Sequence, residues 1–321
     1  MKSPQKYIVV SLAAAITAIL AASTSTLAAG QADLGPTGAG PLTRLGPQEA
    51  TTYFNYPIQK LKVVVPGLNG IKYDDSQKEL PLILGSVAKK IADVLPRLPD
   101  LISREDVFHF QSTPDPNTPG GLPAAQPWGR QYKYLLQCRR ARDGSTFIAE
   151  SRVDAAGKPV EATAGGFTAP RCYGFGYLWL FFSAASQPEF HFRYLGEQMK
   201  GGRKTFVVAF AQEPSKVTHP AAFQVEGKAV PFYYQGVLWV DQSSFDIVAL
   251  RTDLLAPLPQ VHLKQLATEL TFRSVPIHGY DAVFWLPSEV DISSDQGNGP
   301  SEENHRYSDY HLYHSTARIL P

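Results

Sequence analysis

The stretch GVLWVDQSSFDIVAL, residues 236 to 250, decides the fold because it encodes two strands and the turn between them. Val237 to Val240 is apolar and β-branched or aromatic, Asp241 to Ser244 has turn chemistry, and Phe245 to Leu250 resumes an extended apolar run. The stretch therefore predicts a β-hairpin. Because Asp241 lies where the first strand gives way to the turn, we expect its carboxylate to accept hydrogen bonds from turn amides and not to act in catalysis.

Similar extended runs separated by turn residues occur on both sides of this hairpin. They cover residues 132–138, 146–153, 190–194, 205–211, 263–275, 282–292 and 306–319. Strands that follow one another through hairpins favour an antiparallel meander, either a curved open sheet or a barrel. The fold class predicted from this pattern is a β-rich α+β domain.

One main helix is predicted before these strands, over Ser76 to Leu95. Apolar residues recur there at helical spacing, and Ser76 with Glu79 has the spacing of a capping box. The apolar run from Tyr177 to Ala185 predicts a short buried helix. We expect both helices to pack on the sheet.

The N-terminus reads as an export signal. Lys2 and Lys6 precede an apolar core and a run of small residues, so residues 1–29 are predicted to be a secretory signal peptide. A permanent membrane anchor is the alternative. Residues 30–52 form a Gly- and Pro-rich leader, and residues 53–321 a single β-rich domain with an exposed Pro-rich loop at about 112–128. The chain is expected to be periplasmic or secreted, with no integral membrane segment after signal cleavage.

The two cysteines, Cys138 and Cys172, are predicted to form a disulfide, since paired cysteines are common in exported proteins. Two buried thiols or a redox pair are the alternatives. The hypothesis of a redox pair is weak, because the two cysteines do not have a C-x-x-C spacing.

Composition and motifs argue against several function classes. The formal charge of +1 gives no reason to expect a nucleic-acid partner, and no phosphate-binding glycine loop or dinucleotide fingerprint is present, so no cofactor is expected. No G-x-S-x-G elbow is present, and Glu302 and Glu303 look like solvated turn residues.

If residues 306–319 form a strand, His311 and His314 point to opposite faces and His305 lies about 20 Å from His311. We therefore expect neither a metal site nor catalytic residues, and a solvated or edge-strand role for these histidines.

Several motifs together resemble a family of uncharacterised exported bacterial proteins, over residues of about 59 to 318. They are VPGLNGIKYDDSQKELPLIL (65–84), FRYLGEQMKGGRKTFVVAFAQEP (192–214), QGVLWVDQSSFDIVALRTDLLAP (235–257), FWLPSEV (284–290) and HRYSDYHLY (305–313). Their order is also distantly similar to the periplasmic lipoprotein-carrier superfamily, the LolA, LolB and RseB type. That resemblance implies a strongly curved antiparallel half-barrel in meander order, with the helices on its concave face and acyl chains or lipidated peptides as ligands.

The function expected from this resemblance is non-enzymatic binding of an apolar ligand, a lipid, acyl chain or lipidated peptide, under a curved sheet. The residues expected to line the cavity are Leu82, Val87, Ile91, Trp239 and Trp285, although both tryptophans also suit core positions. A cell-envelope interaction or sensing module without a ligand cavity is the alternative, and an envelope hydrolase is the third reading.

Overall fold

A computed structural model describes residues 52–114, 123–125, 127–140, 146–160, 178–218, 220–225, 228–295 and 300–313. The predicted signal peptide, nearly all of the leader, most of the Pro-rich loop and Cys172 lie outside these residues. The predictions for them, and the prediction of a single domain over residues 53–321, therefore remain predictions. In the part of the chain that is described, no helix combines the length and apolarity needed to cross a membrane.

The structure is mostly β, with two α-helices. The helices are α1 (Ile58–Val64) and α2 (Leu80–Val94). The strands are β1 (Lys72–Tyr73), β2 (Leu101–Pro114), β3 (Pro123–Ala125), β4 (Trp128–Arg140), β5 (Thr146–Val153), β6 (Phe190–Lys200), β7 (Arg203–Gln212), β8 (Ala221–Val225), β9 (Lys228–Phe232), β10 (Tyr234–Asp241), β11 (Ile247–Leu254), β12 (Gln265–Pro276), β13 (Val283–Asp295) and β14 (Pro300–Leu312). Short 3₁₀ turns include Leu178–Phe182 and Gln187–Glu189.

Twelve of the described strands form one antiparallel sheet in the order β1-β6-β7-β10-β11-β12-β13-β14-β2-β4-β5, with β3 paired to β2. The path has two ends, so the described sheet is not closed into a barrel. The predicted antiparallel meander is confirmed from β10 to β14. No sequence pattern predicted the pairing of β2 with β14, which joins residues 101–114 to the last described strand.

The sheet has two differently covered faces. On β10, Leu238 and Val240 belong to the same buried cluster as α2, whereas Val237 and Trp239 belong to a second cluster with α1. Since alternate residues of a strand point to opposite sides, α2 and α1 lie on opposite faces. We name these the α2 face and the α1 face.

The main helix is confirmed, but it is shorter than predicted. It begins at Leu80 and not at Ser76, because the Ser76 amide donates to Asp74 Oδ1 at 2.8 Å in a local turn. The predicted capping box is therefore wrong: the helix has no side-chain cap at its first residue. The short buried helix is the 3₁₀ turn Leu178–Phe182, all of whose side chains are buried.

The hairpin is formed as predicted, and Asp241 has the expected turn role. Its Oδ1 accepts from the amides of Ser243 and Ser244 at 2.9 and 2.8 Å, and its Oδ2 accepts from Arg203 Nε. Burial alone would raise the pKa of this carboxyl, but Arg203 and the serine donors hold it well below its ordinary value. The carboxylate therefore fixes the turn.

Candidate functional site

The α2 face carries a continuous apolar layer rich in aromatic side chains. Phe181 and Phe182 of the 3₁₀ turn contact the rings of Phe190, Phe192 and Phe210, with ring centroids between 5.2 and 6.2 Å apart. The same cluster runs across the sheet through Leu238, Leu250, Leu270, Val290 and Tyr307. Apolar surface of this kind is what a hydrophobic ligand requires.

Helix α2 covers this layer mainly through apolar side chains. Ile83, Val87 and Ile91 are buried in the cluster. Among the described residues, two polar contacts link the helix to its surroundings: Lys90 Nζ lies 3.1 Å from Asp246 Oδ1 in the β10–β11 turn, and Gln187 Nε2 donates to the Leu84 carbonyl at 2.9 Å. Apolar contacts are not directional, so these two links set the position of the helix.

The five residues predicted to line a cavity do not lie together. Val87 and Ile91 face the apolar layer, but Leu82 is 56% exposed. Trp239 lies on the opposite, α1 face, where its Nε1 donates to Gln198 Oε1 at 2.9 Å. Trp285 is partly buried beside both clusters. Only the two α2 residues therefore remain candidates for contact with a ligand on the α2 face.

A buried ionic network lies on the α2 face where β14, β2, β4 and β5 meet. Glu105 on β2 accepts from Arg152 Nη2 at 2.7 Å, from the Tyr307 hydroxyl at 2.8 Å and from His305 Nδ1 at 2.9 Å. The second ring nitrogen of His305 lies 3.3 Å from Glu303 Oε2, and Glu303 Oε1 lies 3.2 Å from His109 Nδ1. The network thus links Arg152, Glu105, His305, Glu303 and His109 in a row, with Tyr307 bonded to Glu105 at its side.

Each charge in this network has a partner of opposite sign. Burial alone would raise the pKa of Glu105, but Arg152 and His305 hold it at about 2, and His109 and His305 likewise hold the pKa of Glu303 at about 2. Burial would lower the pKa of His305, but its two carboxylate partners raise it. His305 therefore donates from both ring nitrogens as an imidazolium. Both carboxylates are already engaged, which is typical of a structural network.

The network ends at His109, which stacks on Trp128 with ring centroids 5.1 Å apart. His109 is 3% exposed, and neither its Nε2 nor the indole Nε1 of Trp128 has a hydrogen-bond partner among the described residues. Unpaired buried donors and acceptors are uncommon in folded proteins. They mark this end of the network as the place where a further polar group would be favourable.

The predictions for two members of this network, Glu303 and His305, are wrong. Glu303 is not a solvated turn residue and His305 is not on an edge strand: they are 4% and 0% exposed in the middle of β14. The local sequence around them is polar, and the partner of His305, Glu105, is 200 residues away. One signal was present, the alternation of Ser301, Glu303, His305 and Tyr307 on one side of a strand.

Two further expectations concern metals and the cysteines. Within the described ranges, no three His, Cys, Asp or Glu side chains are grouped so that they could hold a metal ion. Cys138 on β4 is partly buried, with its Sγ 3.6 Å from the Leu95 carbonyl. Because Cys172 lies outside the described residues, its pairing with Cys138 remains a prediction.

No protein-family model matches the chain, and no curated protein matches it. Among solved structures, it is similar to one described as an outer membrane lipoprotein-sorting protein domain from Vibrio parahaemolyticus, with 13% identity, a TM-score of 0.34, and coverage of 69% of this chain and 90% of that one. It is also similar to a DUF1329 family protein from Desulfovibrio piger, with 11% identity, a TM-score of 0.39, and coverage of 74% and 94%.

Proposed function

We propose that this protein is an exported, non-enzymatic binding protein that shelters an apolar ligand, a lipid, acyl chain or lipidated peptide, between α2 and the sheet. In this proposal the sheet curves around α2 as a half-barrel, with the helix on its concave side. The observation that carries the proposal is the apolar layer of the α2 face, which is covered by one helix and one 3₁₀ turn.

Ligand entry requires α2 to move away from the layer. The helix is attached by apolar contacts and by the two polar links at Lys90 and Gln187. Apolar contacts between helix and sheet can be replaced by contacts with an acyl chain at little cost, because both bury similar surface. Breaking the two polar links is therefore the specific step in opening.

The ionic network is not part of the binding surface in this proposal. Glu105 and Glu303 both accept hydrogen bonds from within the network, and Arg152 is fully buried against Glu105. Neither carboxylate is left free for general acid or base work. The network instead holds the end of the sheet rigid while α2 moves.

The direct test is lipid extraction from the protein purified in native buffer from an envelope fraction, followed by mass spectrometry. We expect at least one lipid or acylated species to co-purify in stoichiometric amount. A fluorescent fatty acid should then bind the delipidated protein and be displaced by the extracted species. A delipidated protein that binds no apolar probe would overturn the proposal.

A matched pair of lysines tests the movement of α2. Lys90→Ala removes the link to Asp246, whereas Lys89→Ala removes only a contact with Asp93 inside the same helix. If the link contributes about 1 kcal/mol, Lys90→Ala should increase the rate of probe uptake about fivefold in stopped-flow measurements. Lys89→Ala should leave the rate unchanged, and equal effects of the two changes would argue against α2 as the moving element.

A further inference from the structure

The α1 face of the sheet is only partly covered. The segment from Tyr53 to Ile71, which contains α1, packs on β6, β7, β10 and β11 through Leu61, Leu68 and their partners Val207, Val237 and Ala249. Beyond β11 the face holds a groove of about 690 Å³ that extends to β4. A volume in this range is typical of small-molecule sites.

Two neighbouring rows of paired residues form the floor of the groove. The first row runs through Arg251, Glu269, Asp291, Asn304, Phe108 and Gly129, and the second through Ala267, Ser293, Glu302 and Phe110. Phe108 and Phe110 are 52% and 44% exposed, which is unusual for large aromatic side chains. Gly129 leaves room for the Phe108 ring, which lies 3.4 Å from where its Cβ would be. The groove therefore has an exposed aromatic part.

The charged side chains that line the groove are predominantly negative. Beside the lining, the Arg306 guanidinium lies 6.0 Å from the centroid of the Phe108 ring, with its Nε 3.2 Å from Glu289 Oε1. Arg251, the one guanidinium in the lining, is bound by Asp253 through Nε and Nη2 at 2.7 and 2.8 Å and by Glu269 through Nη1. Asp291 accepts only from the neutral Asn304 amide, and neither Asp291 nor Glu302 has a cationic partner among the described residues. Carboxylates without a counter-charge beside exposed aromatic rings favour a cation over a neutral or anionic ligand.

We propose that this groove is a second binding site, separate from the apolar layer under α2, and that it takes a small organic cation with an apolar ring. The ammonium group lies between Asp291 and Glu302, and the apolar part lies on Phe108 and Phe110.

Isothermal titration with phenylethylamine, 2-phenylethanol and 3-phenylpropanoate tests this site, since the three probes share a phenyl ring and differ in charge. We expect phenylethylamine to bind at least about tenfold more tightly than the alcohol, and the carboxylate not to bind. Asp291→Asn and Glu302→Gln should each weaken amine binding severalfold, and Phe110→Ala should weaken both amine and alcohol.

Asp75→Asn is the matched control, because Asp75 is an exposed carboxylate in the turn before α2. The Asp75→Asn protein should bind phenylethylamine as tightly as the unchanged protein. All variants should have the circular dichroism spectrum of the unchanged protein. Equal affinities for amine and alcohol, or full affinity in the double variant Asp291→Asn with Glu302→Gln, would overturn the proposal. Binding of the fluorescent fatty acid is measured separately, so either site can fail without the other.

Discussion

At the scale of single residues, Glu105 is a strongly constrained position. Its carboxylate is fully buried and bridges Arg152 of β5 to His305 and Tyr307 of β14, so it ties its own strand β2 to two others. Satisfying a buried charge from several strands at once fixes how those strands pair. The same arrangement makes the site intolerant of losing one charge.

Glu105→Gln should therefore be strongly destabilising. The change leaves Arg152 and His305 buried with one carboxylate fewer, and removing one partner of a buried pair typically costs about 3–5 kcal/mol. Urea unfolding followed by circular dichroism measures the loss. Glu302→Gln, an exposed carboxylate one strand away, should change the free energy of unfolding by less than about 0.5 kcal/mol. Similarly small losses of unfolding free energy in both variants would show that the network contributes little to stability.

Gly236, the first residue of the fold-deciding hairpin, is a second constrained position. A Cβ there would lie 1.9 Å from the Arg251 carbonyl oxygen and 2.6 Å from the Phe210 ring. Gly236→Ala should destabilise the protein by about 1–3 kcal/mol or more, as overpacking does. Gly85→Ala is the contrasting control, because Gly85 lies within α2 with open space around it and the change should stabilise by about 0.5–1 kcal/mol. Chemical denaturation of both variants distinguishes the two glycines.

Local chemistry explains which residue roles could be predicted. The turn amides that donate to Asp241 lie two and three residues after it, so its turn role was visible in the sequence, although its contact with Arg203 was not. Glu105 and His305 meet only because β2 pairs with β14, and no sequence pattern gives that register. The residues that make up the buried network and the groove were therefore beyond prediction from one sequence, although their strands were largely expected.

At the scale of elements, the two helices pack on opposite faces of the sheet and differ in how well the sequence predicts them. Helix α2 was predictable because its apolar spacing is helical over four turns. Helix α1 has only seven residues, too few for periodicity to separate it from a strand, and it was not predicted. It is positioned by tertiary contacts: Arg193 Nη1 donates to the carbonyls of Phe54 and Tyr56 at 3.0 and 2.7 Å.

Two residues of α1 test how much this segment stabilises the sheet. Leu61 is fully buried against the α1 face, whereas Val63, two residues later, is 78% exposed. Leu61→Ala should cost about 2–5 kcal/mol, because it removes buried methyl groups and leaves a cavity. The free energy of unfolding of the Val63→Ala protein should lie within about 0.5 kcal/mol of that of the unchanged protein. Thermal and urea unfolding measure the stability of both variants. Equal losses of unfolding free energy in the two variants would mean that α1 is not anchored through Leu61.

At the scale of the whole molecule, the contact between β2 and β14 joins the strand that follows α2 to the last described strand. Glu105 and His305 are 200 residues apart, so their pairing closes a very long loop. Forming a long-range contact costs loop-closure entropy before the contact adds stability. Such contacts therefore form late and slowly during folding. The ionic network at this junction thus couples overall stability to the charge state of a few buried groups.

That coupling predicts a two-sided dependence of stability on pH. Glu105 and Glu303 have folded pKa values of about 2 against 4.5 for the free group, so their contribution is present above pH 4.5 and is lost as the pH falls toward 2. The folded pKa of His305 is raised above 6.5, so its contribution is complete below pH 6.5 and is lost as the pH rises through the raised value. The free energy of unfolding, measured in urea from pH 3 to 9, should therefore fall on both sides of a maximum.

Histidine variants assign the alkaline side of this profile. His305→Gln should flatten the decline above pH 6.5, because the group that loses its proton there is gone. His311→Gln should keep the full decline, since His311 is exposed near the end of the same strand. The slope with pH is the readout, so a general loss of stability in His305→Gln does not obscure it. A decline that persists in His305→Gln and disappears in His311→Gln would place the titrating group outside the network.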